Sequence, residues 1–325
     1  MLSWAAQRGS EIADDVDWMS PPAGATRSTF TAPSGELAMV SMGNPDADPI
    51  VLIPGVTGSK EDFSLMMPGL AAAGFHVLSY DLAGQYESWA AGPHNLTPPR
   101  KRFDYELFVN DLIAVLEPLR RPVHLLGYSF AATVAQIALS RRPDLVASLT
   151  LLSCPPEPGL GFRSVPYVGP LSQLSGGRVG AALIIWGIRR NFIEAPPGRM
   201  KLVRERFRLT RRQSVRDVFV LMKHAPDLRP MLAGWSKPKI VAVGGHDIWP
   251  MRLHAKFAAD IGATFRVYPG GHSPCETSPR ALTQDLLELF AGITGLSQPT
   301  APGPATGLDG RGPEHPPVSS TDAVV

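Results

Sequence analysis

Residues 123–140 read VHLLGYSFAATVAQIALS, and this stretch passes from a strand pattern to a helix pattern within two residues. Residues 123–127 form a short apolar run ending in glycine, which is typical of a buried strand, and the Ala-rich residues 130–140 are typical of a helix. Ser129 therefore lies at the apex of a sharp strand-to-helix turn. The surrounding Gly127-Tyr-Ser-Phe-Ala131 matches the G-x-S-x-G pattern of a nucleophilic serine except at its fifth position. The alternative is a plain turn at which the serine caps the helix.

The central part of the chain repeats this alternation of strand and helix. Strand patterns occur at residues 37–42, 49–54, 75–80, 149–154, 239–243 and 264–268, and helix patterns at 63–73, 103–119 and 280–290. Such alternation predicts an α/β fold with a mostly parallel, doubly wound sheet that helices cover on both faces. In sheets of this kind, ligands bind at the carboxyl ends of the strands.

Changes in composition divide the chain into four parts. Residues 1–25 are predicted to form an N-terminal arm, and residues 26–154 together with 236–295 are predicted to form the α/β core. Residues 155–235 break the alternation and are too long for an ordinary loop, so we expect an inserted helical cap over the carboxyl edge of the sheet. Residues 296–325 are rich in Pro, Gly, Ser and Thr without apolar periodicity, which predicts a disordered tail.

An aspartate and a histidine follow two later strands of the predicted sheet. Asp247 comes shortly after the strand at 239–243, and His272 comes shortly after the strand at 264–268. Because the carboxyl ends of parallel strands meet at one edge, we expect both side chains to lie near Ser129. A serine nucleophile needs a base, and the base needs a carboxylate that orients it. The three residues therefore predict a catalytic triad.

The chain resembles the α/β-hydrolase superfamily over about residues 46–292, and its capped esterase, lactonase and C–C hydrolase branch in particular. The order serine, aspartate, histidine is the order of that superfamily. Residues 53–58, IPGVTG, are similar to its oxyanion loop with proline in place of the usual histidine. Residues 81–88 and 271–279 are similar to its loops after the next strand and around the catalytic histidine.

The resemblance implies a role for each residue of the predicted site. Ser129 would be the nucleophile, His272 the base and Asp247 the acid that orients the base. The backbone N–H groups of Val56 and Phe130 would form the oxyanion hole. The implied activity is that of a serine hydrolase, which cleaves a carboxylic ester, thioester or lactone through an acyl-enzyme and needs no metal or organic cofactor.

Other activities stay open at the level of the sequence. The same triad could serve C–C hydrolysis, perhydrolysis or acyl transfer, because one fold hosts many reactions. A binding protein that keeps the fold without turnover is a further alternative. Haloalkane and epoxide hydrolysis use an aspartate at the turn, and Ser129 excludes them.

The remaining histidines and the cysteines are weaker candidates for catalysis. Histidines within strands are expected to pack in the core, a loop histidine is expected in solvent, and free cysteines usually fill small apolar spaces. The residues concerned are His76 and His124 in strands, His94 in a loop, and Cys154 and Cys275. His246 adjoins Asp247 but follows the wrong strand to be the base, and Asp81 is expected to shape a turn.

The predicted cap has an apolar first part, residues 179–188, and a basic second part. The basic residues are Arg189, Arg190, Arg199, Lys201, Arg204, Arg206, Arg208, Arg211, Arg212 and Arg216. Charge runs usually face water, so a solvated basic face is the favoured interpretation. The alternative is an apolar lid for an acyl chain with a basic rim for an anionic head group, a CoA phosphate or a membrane surface.

Overall composition limits the partners and the compartment. The 31 basic and 29 acidic side chains leave a net charge of +2, which argues against a dedicated nucleic-acid binder. We expect a small-molecule ester or acyl substrate, with membrane contact through the cap as the less favoured alternative. The N-terminal residues carry acids where a secretion signal has an apolar run. The apolar residues 181–188 are far fewer than the roughly 20 that a membrane span needs, so a cytoplasmic protein is expected.

Overall fold

A computed structural model describes residues 16–159 and 196–294. Eight strands form one sheet in the order β1-β2-β4-β3-β5-β6-β7-β8. They are β1 Thr26–Ala32, β2 Gly35–Met42, β3 Pro49–Ile53, β4 His76–Tyr80, β5 Val123–Tyr128, β6 Val146–Leu152, β7 Lys239–Gly244 and β8 Thr264–Tyr268. The first two strands run antiparallel, β1 against β2 and β2 against β4, and the other pairs are parallel. The mostly parallel α/β sheet expected from the sequence is therefore confirmed.

Helices cover both faces of this sheet. In the described ranges they are α1 Met67–Ala72, α2 Tyr105–Leu116, α3 Phe130–Arg141, α4 Pro197–Leu209, α5 Arg212–Met222, α6 Arg229–Gly234, α7 Met251–Asp260, α8 Pro274–Thr277 and α9 Pro279–Thr294. One apolar cluster joins the sheet to α2, α3 and α7, and a second joins it to α1 and α9. None of these helices is both long enough and apolar enough to cross a membrane.

Neighbouring residues of the buried strands point into opposite clusters. In β3, Val51 and Ile53 belong to the first cluster, whereas Ile50 and Leu52 belong to the second. Every residue of this strand is buried. A strand buried on both faces needs apolar residues at every position, which is why these strands read as continuous apolar runs in the sequence.

Strand β1 and helix α7 are absent from the sequence prediction, and helix α1 is shorter than predicted. Strand β1, TRSTFTA, has no apolar alternation because it lies at the sheet edge, where nearly all of its side chains are partly or fully exposed. Helix α7 buries His254, Phe257 and Ala258 on one face, and neither element was predicted. The helix expected over 63–73 is also shorter, since a 3-10 turn at Lys60–Phe63 precedes it.

Among the described residues between β6 and β7, helices α4 to α6 lie in the part of the chain predicted to form the cap. Their junctions dock on the loop that follows β4. The Tyr86 N–H donates to Thr210 Oγ1 at 2.9 Å, and the Arg211 N–H donates to the Gly84 carbonyl at 2.8 Å. Trp18, from the predicted N-terminal arm, is buried in the same region against Tyr86 and Leu202. The apolar part of the expected cap and the expected tail at 296–325 lie outside the described residues.

Candidate active site

The turn after β5 holds Ser129 in an unusual backbone conformation. Its φ is 53° and its ψ is −117°, and its N–H donates to the Leu152 carbonyl at 2.8 Å. A Cβ at Gly127 would lie 2.6 Å from the Ala131 carbonyl oxygen, so only glycine fits where strand and helix meet. Ala131 is fully buried in the turn. The chain thus presents the serine at the carboxyl edge of the sheet.

The loops that carry Asp247 and His272 are joined to each other through their backbones. The Gly245 N–H donates to the Tyr268 carbonyl at 2.8 Å, and the His246 N–H donates to the Gly270 carbonyl at 2.9 Å. A Cβ at Gly244 would lie 1.8 Å from the Gly271 oxygen, so the two loops pack without space for a side chain there. This close contact sets the separation between the aspartate and the histidine.

The structure brings Ser129, His272 and Asp247 into one hydrogen-bonded chain. His272 Nδ1 lies 3.0 Å from Asp247 Oδ2, and His272 Nε2 lies 3.1 Å from Ser129 Oγ. A carboxylate only accepts hydrogen bonds, so Nδ1 carries the proton and Nε2 is left to accept from the serine hydroxyl. The Asp247 side chain is fully buried, whereas the His272 side chain is 24% exposed. The imidazole of His272 can therefore reach solvent, whereas the carboxylate of Asp247 cannot.

Several donors stabilise the Asp247 carboxylate in its buried position. Burial alone would raise its pKa, but the attraction of His272 and the hydrogen bonds from His254 and His272 hold the pKa well below its usual range. The Trp249 N–H donates to Oδ1 at 3.0 Å, and His254 Nε2 lies 3.4 Å from the same oxygen. Asp247 is thus kept ionised beside His272.

The loop at residues 54–58 packs directly against the serine turn. A Cβ at Gly55 would lie 3.1 Å from Ser129 Cβ, and the Thr57 N–H donates to Gln85 Oε1 at 2.7 Å. Within the described ranges, neither the Val56 N–H nor the Phe130 N–H donates to a backbone carbonyl. Phe130 is the first residue of α3, where the helix dipole places partial positive charge. The two N–H groups expected to form an oxyanion hole therefore lie on the two segments that flank Ser129.

The other titratable candidates lie away from this chain of hydrogen bonds or are buried. His246 is exposed and His94 is in the loop after β4, where its Nδ1 lies 3.3 Å from Arg211 Nη1. His76 and His124 are buried in β4 and β5. Cys154 and Cys275 are fully buried, and burial raises the pKa of each thiol. Asp81 binds the Lys60 N–H and Nζ at 2.8 and 3.0 Å, beneath the loop at 54–58.

Two features of the site region were not predicted from the sequence. His254 contacts Asp247 from the unpredicted helix α7, and its spacing to Phe257 and Ala258 is the helical signal that could have placed it on the buried face. Arg199 and Arg206, expected on a basic and solvated face, are instead buried in ion pairs with core carboxylates. The charge run gave no signal for this, because a buried arginine and a solvated one look alike in a sequence.

Comparison of this chain with known protein families and solved structures agrees with this architecture. The model of the alpha/beta hydrolase family matches residues 50–285, and the chain belongs to that family. A search of curated proteins returned no match.

Solved structures with the same fold are only distantly related in sequence. The chain is 21% identical to an esterase from Thermogutta terrifontis, with a TM-score of 0.60 over 82% of this chain and 99% of that one. It is 21% identical to a hydrolase from Pseudomonas aeruginosa, with a TM-score of 0.63 over 82% and 99%. It is 19% identical to a haloalkane dehalogenase from Bradyrhizobium elkani, with a TM-score of 0.68 over 84% and 100%. At such identities the likeness describes the fold alone.

Proposed function

We propose that this protein is a serine hydrolase that cleaves a carboxylic ester, thioester or lactone. The observation that carries the proposal is the hydrogen-bonded chain from Ser129 Oγ through His272 to Asp247, with steps of 3.1 and 3.0 Å. The 3.1 Å step is within the range at which a base takes a proton from a nucleophile, and the 3.0 Å step is a hydrogen bond by which Asp247 can orient that base. Membership of the alpha/beta hydrolase family supports the same reading.

The proposed reaction proceeds in two halves. Ser129 Oγ attacks the substrate carbonyl carbon while its proton passes to His272 Nε2. The intermediate then expels the alcohol or thiol, which takes that proton from His272. A water molecule next gives a proton to His272 and attacks the acyl-enzyme. Collapse then breaks the bond to Ser129 Oγ and releases the acid, and His272 returns the proton to Ser129 Oγ. Asp247 stays ionised and stabilises the histidine cation in both halves.

The oxyanion of each intermediate would be bound by the Val56 and Phe130 N–H groups. Both belong to segments that contact Ser129, and the Thr57–Gln85 hydrogen bond holds the first segment in place. A single oxyanion donor is typically worth about 10²–10³ in rate, so the loop is expected to contribute to the rate beside the triad. C–C hydrolysis, perhydrolysis and acyl transfer remain alternative uses of the same residues.

A fluorophosphonate probe tests the proposal, because it reacts with an activated serine without regard to the natural substrate. We expect the wild-type chain to be labelled, and Ser129→Ala and His272→Ala to lose labelling while keeping their melting temperatures within a few degrees. A screen of p-nitrophenyl esters by chain length would follow. A folded wild-type chain that the probe leaves unlabelled would refute the proposal and favour a binding protein.

A further inference from the structure

Two arginines of helix α4 are buried against carboxylates of the core. Arg199 Nε donates to Glu276 Oε2 at 2.8 Å, and Arg199 Nη2 donates to Glu276 Oε1 and, at 3.0 Å, to Asp62 Oδ1. Arg206 Nη1 donates to the same Asp62 oxygen. The two arginines are seven positions apart, about two helical turns, so they lie on one face of α4. All four side chains are more than nine-tenths buried.

The two carboxylates belong to the loops that carry the proposed chemistry. Asp62 lies four residues after the loop at 54–58, and its second oxygen accepts the Ser59 N–H at 3.2 Å. Glu276 lies in α8, four residues after His272. Ser273 follows His272 directly, and its Oγ lies 2.8 Å from the hydroxyl of Tyr128, the residue before Ser129. Arg199 therefore connects one helix of the cap region to both catalytic loops at once.

Stability alone is a poor explanation for this arrangement. Four charges removed from water carry a large desolvation cost, and buried ion pairs can often be replaced by apolar residues without loss of stability. The hydrogen bonds of Arg199 instead fix a specific geometry. Its guanidinium donates two hydrogen bonds to Glu276 and a third to Asp62. Its outer face is covered by the Trp18 ring, whose centroid is 5.1 Å from Cζ. Arg199 is thus held in one orientation.

We propose that Arg199 is a positioning residue that sets the oxyanion loop and the His272 loop relative to each other from the cap region. Its side-chain hydrogen bonds in the described residues go to Asp62 and Glu276 rather than to Ser129 or His272, so it would act through these two carboxylates. The inference rests on the proposed function, since it concerns the rate at which Ser129 is acylated. A misplacement of about 1 Å in a catalytic group can cost about 100-fold in rate.

The test compares Arg199→Met and Arg199→Lys with Arg204→Met, which removes an exposed arginine from the same helix. The measurements are the fluorophosphonate labelling rate, kcat and KM on one neutral p-nitrophenyl ester, and the melting temperature. We expect labelling and kcat to fall about 10–100-fold in both Arg199 variants, with little change in KM. Arg204→Met should label at the wild-type rate.

A double variant, Arg199→Met with Glu276→Gln, separates positioning from stability. It removes one charge of each sign, so Asp62 and Arg206 remain as a balanced pair. We expect its melting temperature to return toward that of the wild type while its labelling rate stays low. A labelling rate that recovers together with the melting temperature, or an Arg199→Met variant as fast as wild type, overturns this inference alone. A wild-type chain that the probe does not label overturns the proposed function and this inference together.

Discussion

Ser129 is one of four residues at the same edge of the sheet whose backbone conformation is strained. Among the described residues, those with a positive φ that are not glycine are Thr57, Tyr86, Ser129 and Ser153. Each follows a different parallel strand, from β3 to β6, at its carboxyl end. Such conformations cost of order 1–3 kcal/mol each and persist where the surrounding structure enforces them. Strain in this part of the protein is thus concentrated around the candidate active site.

This strain predicts a difference between two variants that both lack the serine hydroxyl. The free energy of unfolding of Ser129→Gly should be about 1 kcal/mol higher than that of Ser129→Ala. Glycine is the more stable variant because it adopts a φ of 53° without a clash at Cβ. The gain is reduced by the greater freedom of glycine in the unfolded chain. Urea denaturation of both variants measures the difference. An alanine variant as stable as the glycine variant would show that the turn is not strained.

The two ends of strand β5 have different surroundings. Its carboxyl end leads to Ser129, whereas His124 near its start is buried between Phe75 and Phe290. His124 Nδ1 lies 2.9 Å from Ser148 Oγ on the neighbouring strand. Burial lowers the pKa of His124 to about 4, so the folded protein keeps this imidazole neutral. The histidine expected in the core is found there.

The lowered pKa of His124 predicts a loss of stability in acid. The unfolded chain takes up the proton near pH 6.5, whereas the folded chain resists it down to about pH 4. The contribution of His124 to the free energy of unfolding is therefore fully present above pH 6.5, and it falls by about 3 kcal/mol as the pH drops to 4. His124→Phe should remove this part of the pH dependence, as measured by urea denaturation between pH 7 and 4. Equal slopes for the two proteins would contradict the prediction, since their other acid-titrating groups are the same.

At the scale of the whole molecule, the described arginines of the predicted cap include a buried group and an exposed group. Arg199 and Arg206 face the core, whereas Arg204, Arg208, Arg212 and Arg216 are exposed. Arg208 pairs with Glu205 on its own helix, and Arg211 lies over the exposed Trp89 ring. The exposed group is suited to solvent, and the buried group to holding helix α4 against the core.

Reversing the exposed charges tests whether they select the substrate. We expect Arg208→Glu, Arg212→Glu and Arg216→Glu in one chain to change kcat/KM alike for p-nitrophenyl butyrate and the anionic p-nitrophenyl hemisuccinate. Exposed charges are well screened by water and salt, so their effect on a site below them is small. A selective loss of tenfold or more for the anionic ester, strongest at low salt, would instead support a basic rim for anionic substrates.

Local patterns in the sequence were enough to predict the strands that form the sheet core and the order of Ser129, Asp247 and His272. Each depends on residues close together in the chain: an apolar run, a glycine at a tight turn, and a side chain just beyond a strand. Because parallel strands end at one edge, these local patterns also predicted that the three side chains meet. The structure brings them together at 3.0 and 3.1 Å.

Only the tertiary structure decided which polar side chains are buried and what they contact. Arg199 and Asp62 are 137 positions apart, and no local pattern distinguishes this arginine from the solvated Arg204 on the same helix. The contact of His254 with Asp247 likewise depends on how helix α7 packs against the loop after β7. A charged side chain is buried where folding brings partners to it from distant parts of the chain. A local sequence pattern does not contain those partners, so burial could be read only from the folded structure.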